Sequence, residues 1–193
     1  ADVSIQAGQD VSIVKTVKAQ EGSIDIQAGT GDVTIGNNGP NVETVTAYKN
    51  IDINVELGQI EINGKTSTKE GDITLKAASE NYVEGTAGQN IIINNDGITH
   101  NGVVESGRDA TLITANSDLH VTDDIDVKQN LGVQVLGEGE ILLDRDINVT
   151  GDTRISSTGK GSINGNNIVS TGTTHVSLTD GDLFLNLAEG KAV

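Results

Sequence analysis

The residues of this sequence with the most obvious capacity for chemistry are carboxylates clustered in its second half. Asp123, Asp124 and Asp126 lie close together, and groups of carboxylate oxygens are the ligands that Ca²⁺ prefers. The Gly-Gly-x-Gly-x-Asp repeat of calcium-binding solenoids is absent from the sequence. We therefore predict no metal site and no cofactor, and Ca²⁺ binding at this cluster stays an open question.

A second group, Asp144, Arg145 and Asp146, raises the question of carbohydrate cleavage. A glycosidase needs two carboxylates facing each other across a cleft, and a lyase needs a base such as Arg beside bound Ca²⁺. Clefts that bind carbohydrate usually also present aromatic side chains, whereas this chain has two Tyr and one Phe. If the three residues lie on a strand, both carboxylates share one solvated face. We expect no catalytic role for them.

The three histidines give no sign of nucleophilic catalysis. His100, His120 and His175 have Ser, Thr or Asn within two residues, but no Gly-x-Ser-x-Gly elbow occurs anywhere in the sequence. His120 stands in the polar middle of an apolar–polar–apolar triplet, where a side chain on a strand faces water. The chain is therefore predicted not to be an enzyme.

Composition excludes further classes of function. With 28 acidic and 12 basic residues and a net charge of −16, the surface should repel nucleic acid and anionic lipid. No apolar run is long enough for a membrane span. The absence of Cys excludes a disulfide framework and fits an exported bacterial protein. Because the chain has no Met, we expect Ala1 to begin a mature chain or an excised fragment.

The elements that carry these residues are predicted to be short strands. Alternation with period two indicates strands with one buried and one wet face. The triplet around Ile92 is apolar throughout, and we place Ile92 inside. The triplets begin at Val3, Val11, Ile24, Val33, Ile51, Ile60, Ile73, Ile91, Leu119, Ile125, Val133, Ile141, Ile147, Val176 and Leu183.

The spacing of the triplets favours a solenoid over a sandwich or a meander. Triplets come in pairs about nine residues apart, and larger steps of about 18 to 22 residues repeat along the chain. Strands this short could not form stable hairpins on their own. We predict an all-β fold, a parallel right-handed β-helix of roughly nine to ten coils and on the order of 45 Å long. Residues 1–193 form a single domain in this prediction.

The corners between triplets also repeat. Gly8, Gly29, Gly88 and Gly107 each precede a strand by a few residues, and Asp or Asn follows them before the strand begins. Gly supplies the backbone angles that a tight corner needs, and Asp or Asn can bond neighbouring backbone amides. Stacked coils would place the same chemistry at the same corner of successive coils.

Corner and triplet together read x-Ala-Gly-x-Asp-Val-x-Ile, and residues 22–29 read Gly-Ser-Ile-Asp-Ile-Gln-Ala-Gly. Over residues 1–35 and 71–127 this pattern resembles the repeats of filamentous-haemagglutinin-type exoproteins. The resemblance implies a long right-handed β-helix that crosses the outer membrane and serves in adhesion or in contact-dependent toxin delivery. The second half keeps the strand rhythm without the Ala-Gly-x-Asp corner, and the family's amino-terminal secretion domain is not evident.

These observations predict a non-enzymatic scaffold of a secreted bacterial surface fibre or adhesin, located outside the cell. The first alternative is an extracellular filament subunit that stacks head to tail, and a minor one is a β-helical carbohydrate-active enzyme. No capping segment is evident at either end, so we expect the helix to associate end to end or to continue in a longer chain. Its other expected partner is a host or neighbouring-cell surface. Nucleic-acid binding and membrane insertion are not expected.

Overall fold

A computed structural model of the protein describes residues 1–36, 42–78, 81–100 and 103–190, with the backbone alone at 81–84, 99, 100, 187 and 188. Within these ranges the chain is all β, with 23 strands and no helix. The strands are β1 (Val3–Ala7), β2 (Val11–Ile13), β3 (Val17–Ala19), β4 (Ile24–Ala28), β5 (Val33–Ile35), β6 (Glu43–Ala47), β7 (Ile51–Val55), β8 (Ile60–Thr68), β9 (Ile73–Ala77), β10 (Asn81–Ala87), β11 (Ile91–Asn95), β12 (Ile98–His100), β13 (Val104–Ser106), β14 (Ala110–Thr114), β15 (Leu119–Val121), β16 (Ile125–Val127), β17 (Leu131–Val135), β18 (Ile141–Leu143), β19 (Ile147–Val149), β20 (Thr153–Lys160), β21 (Ile163–Ser170), β22 (Thr174–Asp180) and β23 (Leu183–Glu189).

All of these strands pair in parallel, and each coil of the chain lies on the coil before it. One sheet has nine strands in the order β1-β4-β7-β9-β11-β14-β17-β20-β22, so one strand of every coil enters it. The remaining strands form a second sheet around the other sides of the coil. Each of the long strands β8, β10, β21 and β23 runs along two of those sides. In the other coils, two shorter strands cover the same two sides. The predicted β-solenoid fold is therefore confirmed.

The number of coils is slightly lower than predicted. The described strands make about eight turns, compared with the nine to ten expected from a uniform coil of about 20 residues. Stacked positions are 18 residues apart at Ala77 and Asn95 but 27 apart at Gln27 and Asn54. Because several coils are longer than 20 residues, the same chain length makes fewer turns. With strands about 4.8 Å apart, nine stacked strands give a rod on the order of 40 Å long.

The core is a set of aliphatic columns in register along the rod. Ile24, Ile51, Ile73 and Ile91 follow one another in one column, each directly over the next. All four have almost no solvent exposure. Like residues stack because every coil presents the same inward position to its neighbours, and β-branched side chains pack well on a pleated surface.

Along each strand of the nine-stranded sheet, outward residues alternate with core residues as predicted, with one correction. Ser4, Asp25, Asp52 and Thr74 occupy one outward column. Ile92 continues that column and is 40% exposed, so the prediction that it points inward is wrong. Strand geometry decides its direction: Ile91 and Ile93 fill the two inward positions of β11, which leaves the middle residue no choice.

The corner glycines lie where neighbouring coils come closest. A Cβ added at Gly29 would lie 2.7 Å from the carbonyl oxygen of Gly8, and one at Gly107 would lie 2.1 Å from that of Gly88. None of these residues has the positive φ that only Gly adopts easily, which occurs instead at positions such as Gly139 and Gly161. The reason predicted for the four corner glycines is therefore wrong: Gly29, Gly88 and Gly107 allow close approach of coils, whereas a Cβ added at Gly8 in the first coil would meet nothing within 4 Å.

Candidate functional site

The most extensive arrangement of functional groups is a polar column at the corner before the nine-stranded sheet. The side-chain oxygen of each residue accepts a hydrogen bond from the backbone N–H of the equivalent residue one coil later. Eight such bonds follow one another with N···O distances of 2.7 to 3.4 Å. The column, which we call the corner ladder, consists of Asp2, Ser23, Asn50, Asp72, Asn90, Asp109, Asn130, Asp152 and Thr173.

The corner ladder supplies hydrogen-bond acceptors for backbone N–H groups that have no partner within the sheets. An N–H at a turn between strands has no ladder partner in the sheet, and each one bonded this way stabilises the fold by about 0.5–1.5 kcal/mol. Two amides add a second bond, since Asn90 Nδ2 donates to Asp72 at 2.8 Å and Asn130 Nδ2 donates to Asp109 at 3.0 Å. The arrangement therefore fastens each coil to the next.

Shorter series of the same kind occur at other corners. Asp10 accepts from the N–H of Asp32 at 2.9 Å, and Asp32 accepts from the N–H of Gln59 at 3.0 Å. Asp118 accepts from the N–H of Glu140 at 2.8 Å. The expectation that Asp and Asn at the corners bond neighbouring amides in successive coils is thus confirmed.

The Asp123 cluster belongs to this corner chemistry. Asp124 Oδ1 accepts from the N–H of Asp146 at 3.1 Å, and Asp123 Oδ1 accepts from the N–H of Asp124 at 2.9 Å. Asp126 stands apart on β16 as an outward residue. Across the described residues, no group of three or more His, Cys, Asp or Glu is arranged to hold a metal ion. Carboxylate oxygens at Asp123 and Asp124 serve the backbone here.

Asp144, Arg145 and Asp146 form a turn between β18 and β19, so placing them on one face of a strand is wrong. Asp144 Oδ2 lies 2.8 Å from His120 Nε2. Asp146 Oδ1 accepts from Asn167 Nδ2 at 2.9 Å. The turn follows from the sequence, because three consecutive charged residues have no inward side chain to bury. The two carboxylates bond different partners.

The histidines lie on separate strands. His120 is the middle, outward residue of β15, as predicted, and its imidazole pairs with Asp144. His175 is an exposed residue of β22 and neighbours Arg154 in the same outward column. The side chain of His100 lies outside the described residues.

A wide groove of about 590 Å³ lies beside the His120–Asp144 pair, towards the last coil. Its walls combine the ring of Phe184, which is 59% exposed, with Asp144 and several amides. Asn186 Nδ2 donates to Asn166 Oδ1 at 2.6 Å, which continues the outward stacking of like side chains. The groove is open to solvent, and Asp144 is the only carboxylate among its described lining residues.

The outward face of the first coils carries a smaller polar groove around Gln27 and Asn54. Asn54 Nδ2 donates to Gln27 Oε1 at 3.0 Å, and Gln27 Nε2 donates to Asp25 at 2.6 Å. Asp52 stacks directly on Asp25, in the outward column beside that of Gln27 and Asn54. Partial burial, together with the charge of Asp25, raises the pKa of Asp52 above its ordinary value. Like charges stacked in register carry an electrostatic cost at this face.

Comparisons with known proteins identify no relative. No protein-family model matches the chain, and no match occurs among curated proteins or solved structures. In the described part of the chain, no helix has the length and apolar character needed to cross a membrane.

Several residues of the corner ladder escaped sequence reasoning. The sequence pattern did not predict Ser23, Asn50 and Asp72, because no Ala-Gly pair precedes them at their corners. The signal that would have found them is simpler. A short side chain with an oxygen stands immediately before the strand of the nine-stranded sheet in every coil.

Proposed function

We propose that this chain is a non-enzymatic scaffold, a rod-shaped segment of a secreted bacterial surface fibre or adhesin. The observation that carries the proposal is the corner ladder, which continues through every coil without interruption. Its short polar side chains bond to backbone amides and so join one coil to the next. A chain organised in this way has length and stiffness as its principal properties.

The chemistry of the surface supports the same proposal. Asp25 and Asp146 accept hydrogen bonds from Gln or Asn amides, Asp144 pairs with His120, and the corner carboxylates accept from backbone amides. A net charge of −16 keeps such a rod soluble and separate from other acidic surfaces. The lack of Cys and the repeat resemblance support a location outside the cell.

A second candidate function, the subunit of an extracellular filament, has one observation in its favour. Among the described strands, β1, β2 and β3 in the first coil and β22 and β23 in the last pair on one side only. Unpaired parallel edges at both ends are the surfaces through which one rod could extend another.

Immunogold electron microscopy tests the proposed location and role. Antibodies raised against residues 1–193 should label the outer surface of unbroken producing cells, along thin projections. Purified protein should appear by negative stain as short, straight rods. Labelling confined to the interior of sectioned cells, with none on intact cells, would contradict the proposal.

A further inference from the structure

We infer that the two ends of the rod bind each other, so that the last coil of one copy stacks in register on the first coil of a second copy. The inference rests on the proposed scaffold function and names the partner of its exposed ends. Three features support it: the polarity of the corner ladder, the sizes of the terminal core side chains, and one pair of opposite charges.

The hydrogen bonds of the corner ladder point in the same direction from the first coil to the last. In every step the acceptor side chain is on the earlier coil and the donor N–H is on the later one. Thr173, whose own N–H is bonded to Asp152 at 2.7 Å, is the last residue of the series in the described part of the chain. The chain itself continues over this corner, where the Thr174 hydroxyl donates to the carbonyl oxygen of Glu189 at 3.0 Å, so the ladder sets the polarity of stacking and makes no direct contact with a second copy here.

A direct match between the two copies occurs at a second corner. Asp182 is the last residue of the column in which Asp10 is the first, and its N–H lies 3.4 Å from the hydroxyl of Ser162. Stacking would bring the N–H of Asp10 from the second copy towards the Asp182 carboxylate. Within the rod, the N–H of Asp32 meets Asp10 in the same manner at 2.9 Å.

The apolar side chains at the two ends are partly uncovered and differ in size in a complementary way. Ile5 and Ala7 at one end, and Val176 and Leu178 at the other, pack against the core without being fully buried. In register, the small Ala7 would face the large Leu178, and Ile5 would face Val176. Covering these groups removes apolar surface from water at each end, which favours association.

A charged pair fixes the register of the third side. The outward column that begins at Lys18 passes through Thr46 and Ser67, and its last described residue is the exposed Glu189. Stacking of a second copy would place Lys18 next to Glu189 at the spacing of neighbouring strands, about 4.8 Å. Directly opposed opposite charges stabilise strand pairs, and like charges destabilise them.

Charge reversal tests the register by sedimentation velocity at physiological ionic strength. Wild-type protein should form end-to-end dimers and longer species as concentration rises. Lys18→Glu and Glu189→Lys should each weaken the association constant by at least about threefold. The double variant, and an equimolar mixture of the two single variants, should restore association because each restores opposed pairs.

The control variant is Lys49→Glu, which makes the same change in net charge at an exposed position on the side of the rod. Its association constant should stay within about twofold of wild type, and all variants should retain the wild-type melting temperature. Glu189→Lys reduces the net negative charge, so general repulsion alone predicts stronger association. Stronger association of that variant would therefore overturn the inference.

The remaining outcomes separate this inference from the scaffold function. Wild-type rods that stay monomeric at millimolar concentration would overturn end-to-end binding, yet surface labelling of cells would still stand. Association that none of the charge variants changes would overturn the proposed register. Absence of surface label with intact charge-dependent association would contradict the location alone.

Discussion

The side chains that precede each strand of the nine-stranded sheet are short, and their length decides what they can do. Asp, Asn, Ser and Thr carry an oxygen one or two bonds beyond Cβ, which reaches the backbone N–H of the next coil but little further. At another corner the longer Gln59 and Glu140 take part only through their backbone N–H groups. Residue length, more than charge, selects the corner-ladder residues.

Asp152 offers a direct test of the ladder. Replacing it with Ala removes the acceptor for the Thr173 N–H, which lies 2.7 Å away, and should lower the free energy of unfolding by about 0.5–1.5 kcal/mol. Asp152→Asn keeps an acceptor oxygen and should retain most of the stability, as Asn130 does naturally one coil earlier. Urea denaturation measures both. Equal losses in the two variants would contradict the role of the side-chain oxygen.

Two glycines should respond oppositely to the same substitution. Gly107→Ala would drive a methyl group to within 2.1 Å of the Gly88 carbonyl oxygen and should destabilise the rod by more than about 1 kcal/mol. Gly132 lies on an outward strand position with no atom within 4 Å of an added Cβ, so Gly132→Ala should stabilise by roughly 0.5 kcal/mol. Melting temperatures that shift in the same direction would show that coil spacing is not the constraint.

The raised pKa of Asp52 predicts that the stability of the rod depends on pH. Partial burial and Asp25 raise its pKa above the unfolded value, so the folded state favours the protonated form. The resulting stability is present at low pH and is lost as pH rises from the unfolded to the folded pKa. Asp52→Asn should therefore stabilise the rod at pH 7 by less than about 1 kcal/mol. The gain should vanish at pH 3, and an equal gain at both pH values would contradict this origin.

At the scale of strands, the fold could be predicted where inward residues are large and aliphatic. Every triplet recognised in the sequence, from Val3-Ser4-Ile5 to Leu183-Phe184-Leu185, lies within a strand of the structure. The third side of the coil was largely missed. Its inward residues include Thr66, Thr68 and Ser106, which are buried but read as surface residues in a hydropathy pattern.

The hydroxyl groups of that third side explain how polar residues become interior ones. Thr68 Oγ1 donates to the carbonyl of Gly71 at 2.7 Å, and Ser106 Oγ donates to that of Asp109 at 2.8 Å. Local hydrogen bonds of this kind compensate for burial at Thr68 and Ser106, whereas the hydroxyl of Thr66 is buried with no hydrogen-bond partner among the described residues. A pattern of apolar and polar residues alone carries no information on such bonds, and therefore it could not place these strands.

Substitutions in β11 test whether strand geometry or apolar content decides which residues are buried. Ile93 is buried and Ile92 is 40% exposed. Ile93→Asp should cost more than about 4 kcal/mol or prevent folding, because the carboxylate would lie in the core without a partner. Ile92→Asp faces water between Thr74 and Thr111 and should cost less than about 1 kcal/mol. Similar urea midpoints for the two variants would contradict the assigned faces.

At the scale of the whole molecule, each coil contacts chiefly its two neighbours, so the rod is close to a one-dimensional array. Sheet registers join each strand to strands about one coil away along the sequence. Stability should then grow nearly in proportion to the number of coils.

Removal of one complete coil tests this modularity. Deleting residues 110–130 joins Asp109 to Leu131 and would bring β17 onto β11, with Val133 facing Ile93 in an all-apolar contact. The shortened protein should keep a cooperative thermal melt and become about 4.8 Å shorter by small-angle X-ray scattering. Deleting only residues 110–120 removes β14 and interrupts the nine-stranded sheet, so that variant should lose cooperative folding. If both shortened proteins melt cooperatively, the description of the rod as an array of stacked coils is contradicted.

The direction of the corner ladder also has a consequence for the order of folding. Every acceptor oxygen belongs to the earlier coil, so a finished coil is a template for the one that follows it. A polypeptide delivered amino terminus first always meets a complete row of acceptors on which to lay its next coil. Assembly can therefore advance one coil at a time behind the emerging chain, with little loop-closure entropy to overcome at each step.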